Sequence, residues 1–225
     1  MRAGLLPLLQ LSDSAFPTGA FSHSLGLETL VAGGTVRDGA TLQAAIVDHL
    51  GAMATSDLPA LRGAAQAPSV ERVVALDRTL GATKLAREAR AASAATGRSL
   101  LDSATALELA DSRPAEYRAL VRAREAPGHH AVAHGVVCTA FALGVADAAA
   151  AFAYAACASL VAAGQKLVPL GQREAQRTLL ALHAPIAAAV ELSAGIDPAD
   201  PYAFAPVQEV ASMVHERQRT RLYIS

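Results

Sequence analysis

Apolar residues recur at helical spacing along nearly the whole chain, and no stretch shows the alternation typical of a strand. Alanine accounts for 54 of the 225 residues, whereas aromatic residues make up only 4%. Because alanine is the best helix former and the bulky residues that fill strands are scarce, this pattern favours an all-α protein. With 52% hydrophobic and 17% charged residues, the chain is too apolar to be disordered. We expect a single-domain, compact helical bundle of roughly ten helices over residues 1–225.

Turn-forming residues divide this pattern into segments. Residues 12–19 combine Ser, Asp, Pro and Gly and predict an ordered turn. Asp38 is a predicted N-cap, Gly97 a predicted break, and Pro127 with Gly128 a predicted turn before two alanine-rich helices. The remaining helices are predicted at residues 20–31, 40–56, 70–80, 83–95, 100–110, 116–124, 174–192 and 207–217.

Charge and cysteine usage exclude several classes of function. A net charge of -1 creates no field that would attract phosphate backbones, so nucleic acid is not an expected partner. Cys138 and Cys157 lie in separate apolar runs and form no CxxC pair, which is typical of buried thiols in a reducing, cytoplasmic protein. The N-terminus lacks a convincing cleavage site for secretion.

Residues 126–146 and 148–165 contain no Lys, Arg, Asp or Glu, so a membrane hairpin is one interpretation. The first run contains Pro127, Gly128 and three histidines, and the second is mostly alanine. These features favour two central helices of a soluble bundle, with no membrane partner.

The sequence offers few candidates for catalysis or metal binding. It contains no P-loop, no GxGxxG after a strand, no HExxH and no GxSxG. His130 and His134 are four residues apart, so on a helix they share one face and are weak candidates for a metal site. Packing at a helix start explains the same pair. Ser22, His23 and Ser24 suggest a nucleophile, but adjacent helical residues point apart and no carboxylate orients them.

The segment from Lys166 to Gln172 ends a long apolar helix with a cation and then turns through Pro169 and Gly171. An ordinary helix stop explains it, because a cation is favourable at a helix C-terminus. A docking surface for a partner explains it equally. The basic tail at residues 215–225 has the same two interpretations, a frayed terminus or a segment that orders on binding.

Three segments together resemble the UreF family of urease accessory proteins, over nearly the whole chain. Residues 12–28 match through Pro17, Gly19, Phe21, Ser22, Ser24, Gly26 and Glu28, a structural or dimer motif. Residues 160–177 match through Lys166, Pro169, Gly171 and Gln172, and residues 206–225 match through His215, Glu216, Gln218, Arg221 and Leu222. Arg87 with Glu88, Gly97 with Arg98, and Gly128 with His129 are weaker likenesses. The tail departs from the family pattern at Arg219, Tyr223 and Ile224, which puts the contacts of those positions in doubt.

The resemblance implies a non-catalytic adaptor that dimerises, binds UreD (also called UreH) and recruits the GTPase UreG to apo-urease. The tail is then a partner-binding segment that orders against UreD, and the surface near Lys166 handles the GTPase. No cofactor is expected to bind stably, since nickel is handled by the complex and GTP by the partner. The alternatives from other classes are a helical small-molecule-binding or regulatory domain and a metal-dependent enzyme centred on His130 and His134.

Overall fold

The computed structural model describes residues 4–19, 23–219 and 221–224. These residues form twelve α-helices and no strand, so the predicted all-α class is confirmed. The helices are α1 (Leu5–Ser12), α2 (Leu27–Ala32), α3 (Gly39–Thr55), α4 (Asp57–Ala65), α5 (Val70–Thr83), α6 (Arg87–Thr105), α7 (Arg113–Arg122), α8 (His130–Ala140), α9 (Val145–Leu167), α10 (Gln172–Ala181), α11 (His183–Ser193) and α12 (Pro206–His215).

Helix α8 lies at the centre of the molecule, and every residue from Ala131 to Cys138 is buried. It packs against α4, α6, α7 and α9. A Cβ atom on Gly135 would lie 2.3 Å from the carbonyl oxygen of Leu61, so α4 and α8 approach more closely than larger residues allow. The small residues of this chain therefore determine how its central helices pack.

Two predicted helix boundaries are confirmed, and both have local causes. Asp38 caps α3 by accepting a hydrogen bond from the Thr41 amide at 2.8 Å, while the Thr41 hydroxyl bonds the Asp38 amide in return. The predicted end of the helix at residues 40–56 is also present, because α3 ends at Thr55 and α4 begins at Asp57, with Pro59 in its first turn.

The predicted break at Gly97 is wrong. Helix α6 runs through this residue and joins the two helices predicted at residues 83–95 and 100–110. A Cβ on Gly97 would lie 2.0 Å from the Gly128 carbonyl oxygen, so the glycine gives room for the chain that leads into α8. Its role is close backbone approach rather than helix termination.

Two further predicted helices are shorter than expected. Residues 20–22 of the predicted helix at 20–31 lie outside the described residues, and from residue 23 onward helix begins only at Leu27, since Leu25 and Gly26 both have positive φ angles, 52° and 86°. The predicted helix at residues 174–192 divides at Leu182 into α10 and α11. Pro185 explains the division, because it lacks an amide proton and fits only in a first turn, where α11 places it.

One described helix, α9, is long and apolar enough by length and composition to cross a membrane, and core helices of soluble proteins pass the same test. Only 39% of its most apolar stretch is buried. Helix α8 has 11 residues, so it is too short for the other half of a hairpin that needs about 20 residues per span. Both cysteines are buried, which raises the pKa of each thiol to about 12.

Candidate functional site

The first and the third of the segments that resemble the family meet around one buried histidine. His215, at the end of α12, is fully buried. Its Nδ1 lies 2.8 Å from a carboxylate oxygen of Glu88, and its Nε2 lies 3.1 Å from a carboxylate oxygen of Glu28. Both neighbours are hydrogen-bond acceptors, so the ring of His215 is held between two carboxylates.

Glu28 also binds the backbone of the tail. Its carboxylate accepts hydrogen bonds from the amides of Leu222 at 2.8 Å and Tyr223 at 3.2 Å. Burial raises the pKa of Glu28, but the hydrogen bonds from Leu222, His215 and Tyr223 outweigh burial and lower the pKa overall. The carboxylate is therefore held in its charged form between α12 and the end of the chain.

Arginine residues complete these contacts at the surface. Arg221 donates to Glu88 at 2.8 Å, so Glu88 links the tail to α6. Arg87 donates to Glu216 at 2.8 Å from the neighbouring position of α6. We call the set formed by Glu28, Glu88, His215 and Arg221 the tail clasp. Gln218 adds a hydrogen bond of 3.0 Å to the Thr29 hydroxyl.

Gly26 allows α12 to lie against the start of α2. A Cβ at this position would be 2.8 Å from the Ser212 amide nitrogen and 3.0 Å from the Gln208 carbonyl oxygen. The Gln208 side chain donates to the Leu25 carbonyl at 3.2 Å across the same contact. Glycine is therefore required at position 26 for two reasons. Its backbone has a left-handed conformation, and the backbone of α12 approaches it closely.

The remaining residues of the N-terminal motif lie apart from the tail clasp or outside the described residues. Pro17 and Gly19 are exposed, and Gly19 has a φ angle of 74°. Ser24 is fully buried. Phe21 and Ser22 lie outside the described residues.

Lys166 connects the second segment to the tail. Its ammonium nitrogen lies 5.8 Å from the ring centre of Tyr223, within the range of a cation–π contact. Tyr223 is 7% exposed, so this departure from the family pattern keeps an aromatic ring in a buried position. Arg219 and Ile224, the other two departures, are exposed.

The chain after α9 alternates between buried and exposed residues. Val168 and Leu170 are buried and anchor this segment to the core. Pro169, Gly171 and Gln172 are exposed, and α10 begins at Gln172 with Gly171 as its N-cap. The segment therefore has a fixed backbone with an accessible outer edge.

The backbone of α12 is held by the tail clasp, yet its outer face is apolar. Val207, Val210 and Val214 are 64%, 58% and 47% exposed and lie on one face at helical spacing. Ala211, Ser212 and His215 form the buried face. We call the three valines the α12 stripe. Phe204, Leu222 and Ile224 are also highly exposed in the segments before and after the helix.

His130 and His134, the weak metal candidates, lie on α8 as predicted. Their ring centres are 6.1 Å apart, and both rings pack against Phe152, at 4.9 Å and 5.3 Å. Burial lowers the pKa of His130 to about 3 and that of His134 to about 4. Within residues 4–19, 23–219 and 221–224, no three His, Cys, Asp or Glu side chains are grouped to hold a metal ion.

The sequence pattern does not reveal the structural roles of Glu88 and Tyr223. In the sequence, Glu88 is only part of a weaker likeness to the UreF family. In the structure, it binds both His215 and Arg221. Its position beside Arg87 at the start of a charged helix face gave no indication of a partner more than 120 residues away. Tyr223 departs from the family pattern, yet it occupies a buried aromatic position.

The fold and the site together define an all-α protein whose structured tail adjoins an apolar outer surface. The family model UreF matches residues 36–183. The chain is 39% identical over 221 residues to the urease accessory protein UreF of Arthrobacter sp. (strain FB24), covering 98% of this chain and 96% of that protein. It is 40% identical over 225 residues to the UreF of Paenarthrobacter aurescens (98% and 97%) and 37% identical over 233 residues to that of Kocuria rhizophila (99% and 97%). The chain therefore belongs to the UreF family of urease accessory proteins.

Proposed function

We propose that this protein is a non-catalytic adaptor of urease maturation in the cytoplasm. It forms a complex with UreD (UreH), recruits and modulates the GTPase UreG, and so helps to insert nickel into apo-urease. The observation that carries this proposal is the α12 stripe, an apolar surface beside a tail that is held in place by the tail clasp. An adaptor needs such surfaces more than it needs catalytic groups.

UreD is the partner that we assign to the α12 stripe and the tail. Exposed apolar side chains at helical spacing are typical of a helix that packs against another protein. Leu222 is 72% exposed although its amide is bonded to Glu28, so its side chain is presented outward from a fixed backbone. Pre-ordering of these residues reduces the entropy that is lost on binding.

We assign UreG to the surface formed by Lys166, Pro169, Gly171 and Gln172. Because Lys166 also contacts Tyr223, a partner that moves the tail changes the surroundings of this lysine. This connection gives the adaptor a physical route by which UreD binding affects UreG binding.

Nickel is the cargo of the complex in this proposal, and GTP belongs to UreG. His130 and His134 are neutral at pH 7 because of their lowered pKa values, and neutral imidazoles can contact nickel. With only two such ligands side by side, contacts of this kind would be weak and transient.

We infer a homodimer from α9. This helix is strongly apolar, yet less than half of its most apolar stretch is buried. Tyr154 is 39% exposed on it and stacks near His183 of α11, at 6.1 Å between ring centres. A second copy would cover this apolar surface.

The assignment of the tail is tested by deleting residues 220–225 and measuring co-purification with co-expressed UreD. We expect weaker capture with an unchanged helical circular dichroism spectrum, because the last helix ends at His215, although loss of the buried Tyr223 ring should lower the free energy of unfolding. Capture at full strength would contradict the assignment. Lys166→Ala should preserve folding and UreD capture but reduce UreG recruitment and urease activation, and normal activation would refute its role.

A further inference from the structure

A cavity of about 230 Å³ lies among α3, α6, α8, α9 and α12. Its walls are mostly apolar and include Met53, Leu100, Phe152 and Leu160, and polar groups from His134 and Ser212 also line it. For comparison, a cavity of about 150 Å³ in a protein core is enough to bind benzene. The space therefore suits a molecule with more than one ring.

Two polar atoms in the cavity wall lack a protein partner in the described part of the chain. They are Nε2 of His134 and Oγ of Ser212. Their residues are 5% and 3% exposed, so bulk solvent does not satisfy them. Since buried polar atoms are nearly always hydrogen-bonded, these two atoms indicate a missing partner inside the cavity.

The bonding of His134 defines what that partner must be. Burial lowers the pKa of His134 to about 4, and a hydrogen bond with the Ala148 backbone partly opposes this shift. A contact that raises the pKa of a histidine is made to an acceptor, so the bonded nitrogen, Nδ1, carries the proton of the neutral ring. The unpartnered Nε2 is then an acceptor and requires a donor.

The rest of the wall favours a neutral, planar molecule. His130, His134 and Phe152 place three rings within 4.9 to 6.1 Å of each other, which gives aromatic surfaces for stacking. Lys84 and Asp57 pair in this wall at 2.8 Å, and the other carboxylates that line it, Asp13 and Glu209, are exposed and half-buried respectively. The fully buried part of the wall therefore offers no free counter-charge for a strongly charged molecule.

We propose that this cavity binds one small, neutral, planar and largely apolar molecule, which donates a single hydrogen bond to Nε2 of His134. Such a site is separate from the tail clasp and from the surfaces assigned to UreD and UreG. Its test needs neither a partner protein nor urease, so its failure would leave the adaptor function untouched.

Indole and benzofuran are suitable probes because they have nearly the same shape, but only indole has a donor N–H. Titration of the full chain, followed by calorimetry and by NMR of the His134 and Phe152 side chains, measures both affinities. We expect both to bind in the cavity and indole to bind about tenfold more tightly, the ratio expected for one hydrogen bond. Absence of indole binding at millimolar concentration, equal affinity for the two probes, or binding elsewhere would overturn the proposal.

Two variants locate the site. His134→Phe keeps a ring but removes the acceptor, so indole should lose its advantage over benzofuran. Ala156→Phe adds a ring to the cavity wall and should abolish binding of both. Should either variant fail to fold by circular dichroism, the comparison of the two probes on the unaltered protein still decides. A preference for indole that persists in folded His134→Phe would contradict the assigned acceptor.

Discussion

The imidazole of His215 and the carboxylate of Glu28 lie 3.1 Å apart, although 187 residues separate them in the chain. This contact joins the end of the last helix to the start of α2. The same carboxylate then binds two backbone amides of the tail. The order of the tail in the free protein thus depends on one buried acidic residue.

Replacing Glu28 by Gln should release the tail. The amide keeps the shape of the side chain but removes the charge that pairs with His215, and we expect a loss of about 1–3 kcal/mol in the free energy of unfolding. Faster amide hydrogen exchange at Leu222 and Tyr223 and a lower midpoint of urea unfolding would report this change.

Glu216→Gln is the matched control, because Glu216 forms an ion pair with the exposed Arg87 at the surface. Exposed pairs contribute little, so exchange at Leu222 should stay slow in this variant. If both variants behaved alike, the central role of Glu28 would be refuted.

Acidification should begin to destabilise the protein at pH values well above the pKa of its carboxylates. Burial lowers the pKa of His129 and His134 to about 4 and that of His130 to about 3. Because these folded-state values lie below the unfolded value of 6.5, the unfolded chain binds more protons, and stability is lost as pH falls from 6.5 towards 4. Each histidine contributes a slope of up to about 1.4 kcal/mol per pH unit.

Urea unfolding at pH 7, 6 and 5 measures this slope. His134→Phe removes one of the three histidines, so the slope should fall by up to about 1.4 kcal/mol per pH unit. A stability that is flat between pH 7 and pH 5 would contradict the burial of neutral histidines. The lowered pKa of Glu28 acts in a different window, since its contribution is complete above pH 4.5 and is lost only below that value.

Two glycines inside helices should respond in opposite ways to alanine. Gly97→Ala places a Cβ 2.0 Å from the Gly128 carbonyl oxygen, so it should destabilise the fold by about 3 kcal/mol or more. Gly51 lies on α3 with open space around its Cβ position, and Gly51→Ala should stabilise by about 0.5–1 kcal/mol. Thermal denaturation distinguishes the two, and a harmless Gly97→Ala would contradict the close approach of α6 to the chain before α8.

These glycines also explain how far the sequence could predict the fold. Helical spacing and alanine content predict the fold class, and Asp38 predicts a boundary, because those signals act within a few residues. Gly97 resembles a helix breaker in sequence, yet its function depends on Gly128, 31 positions away. A glycine that ends a helix and one that admits another backbone have the same local pattern.

The candidate site shows the same limit, because local sequence patterns do not show which distant residues come into contact. Glu28, Lys166 and His215 could be identified from the resemblance to UreF, but their convergence could not. The partners of His215 lie 127 and 187 residues away, on α6 and α2. Pairings at that separation depend on the packing of the whole bundle rather than on spacing.

Tyr154→Asp should convert the proposed dimer into a monomer, because a charge on the outer face of α9 cannot be buried against a second copy without a partner. Size-exclusion chromatography with light scattering measures the mass directly. Leu107→Asp, at an exposed apolar residue after α6, is the control and should leave the mass unchanged. A monomeric unaltered protein, or a dimeric Tyr154→Asp, would refute the assigned interface.

The α12 stripe is the surface on which the proposed binding of UreD depends most. Val210→Asp places a charge in the middle of this stripe without touching the core, and Leu107→Asp places the same charge on an exposed apolar residue elsewhere. The decisive measurement is the amount of co-expressed UreD captured by each variant under matched conditions. We predict a loss of about tenfold or more for Val210→Asp, equivalent to about 1.4 kcal/mol, with capture unchanged for Leu107→Asp. Equal capture by the two variants would show that the α12 stripe does not bind UreD.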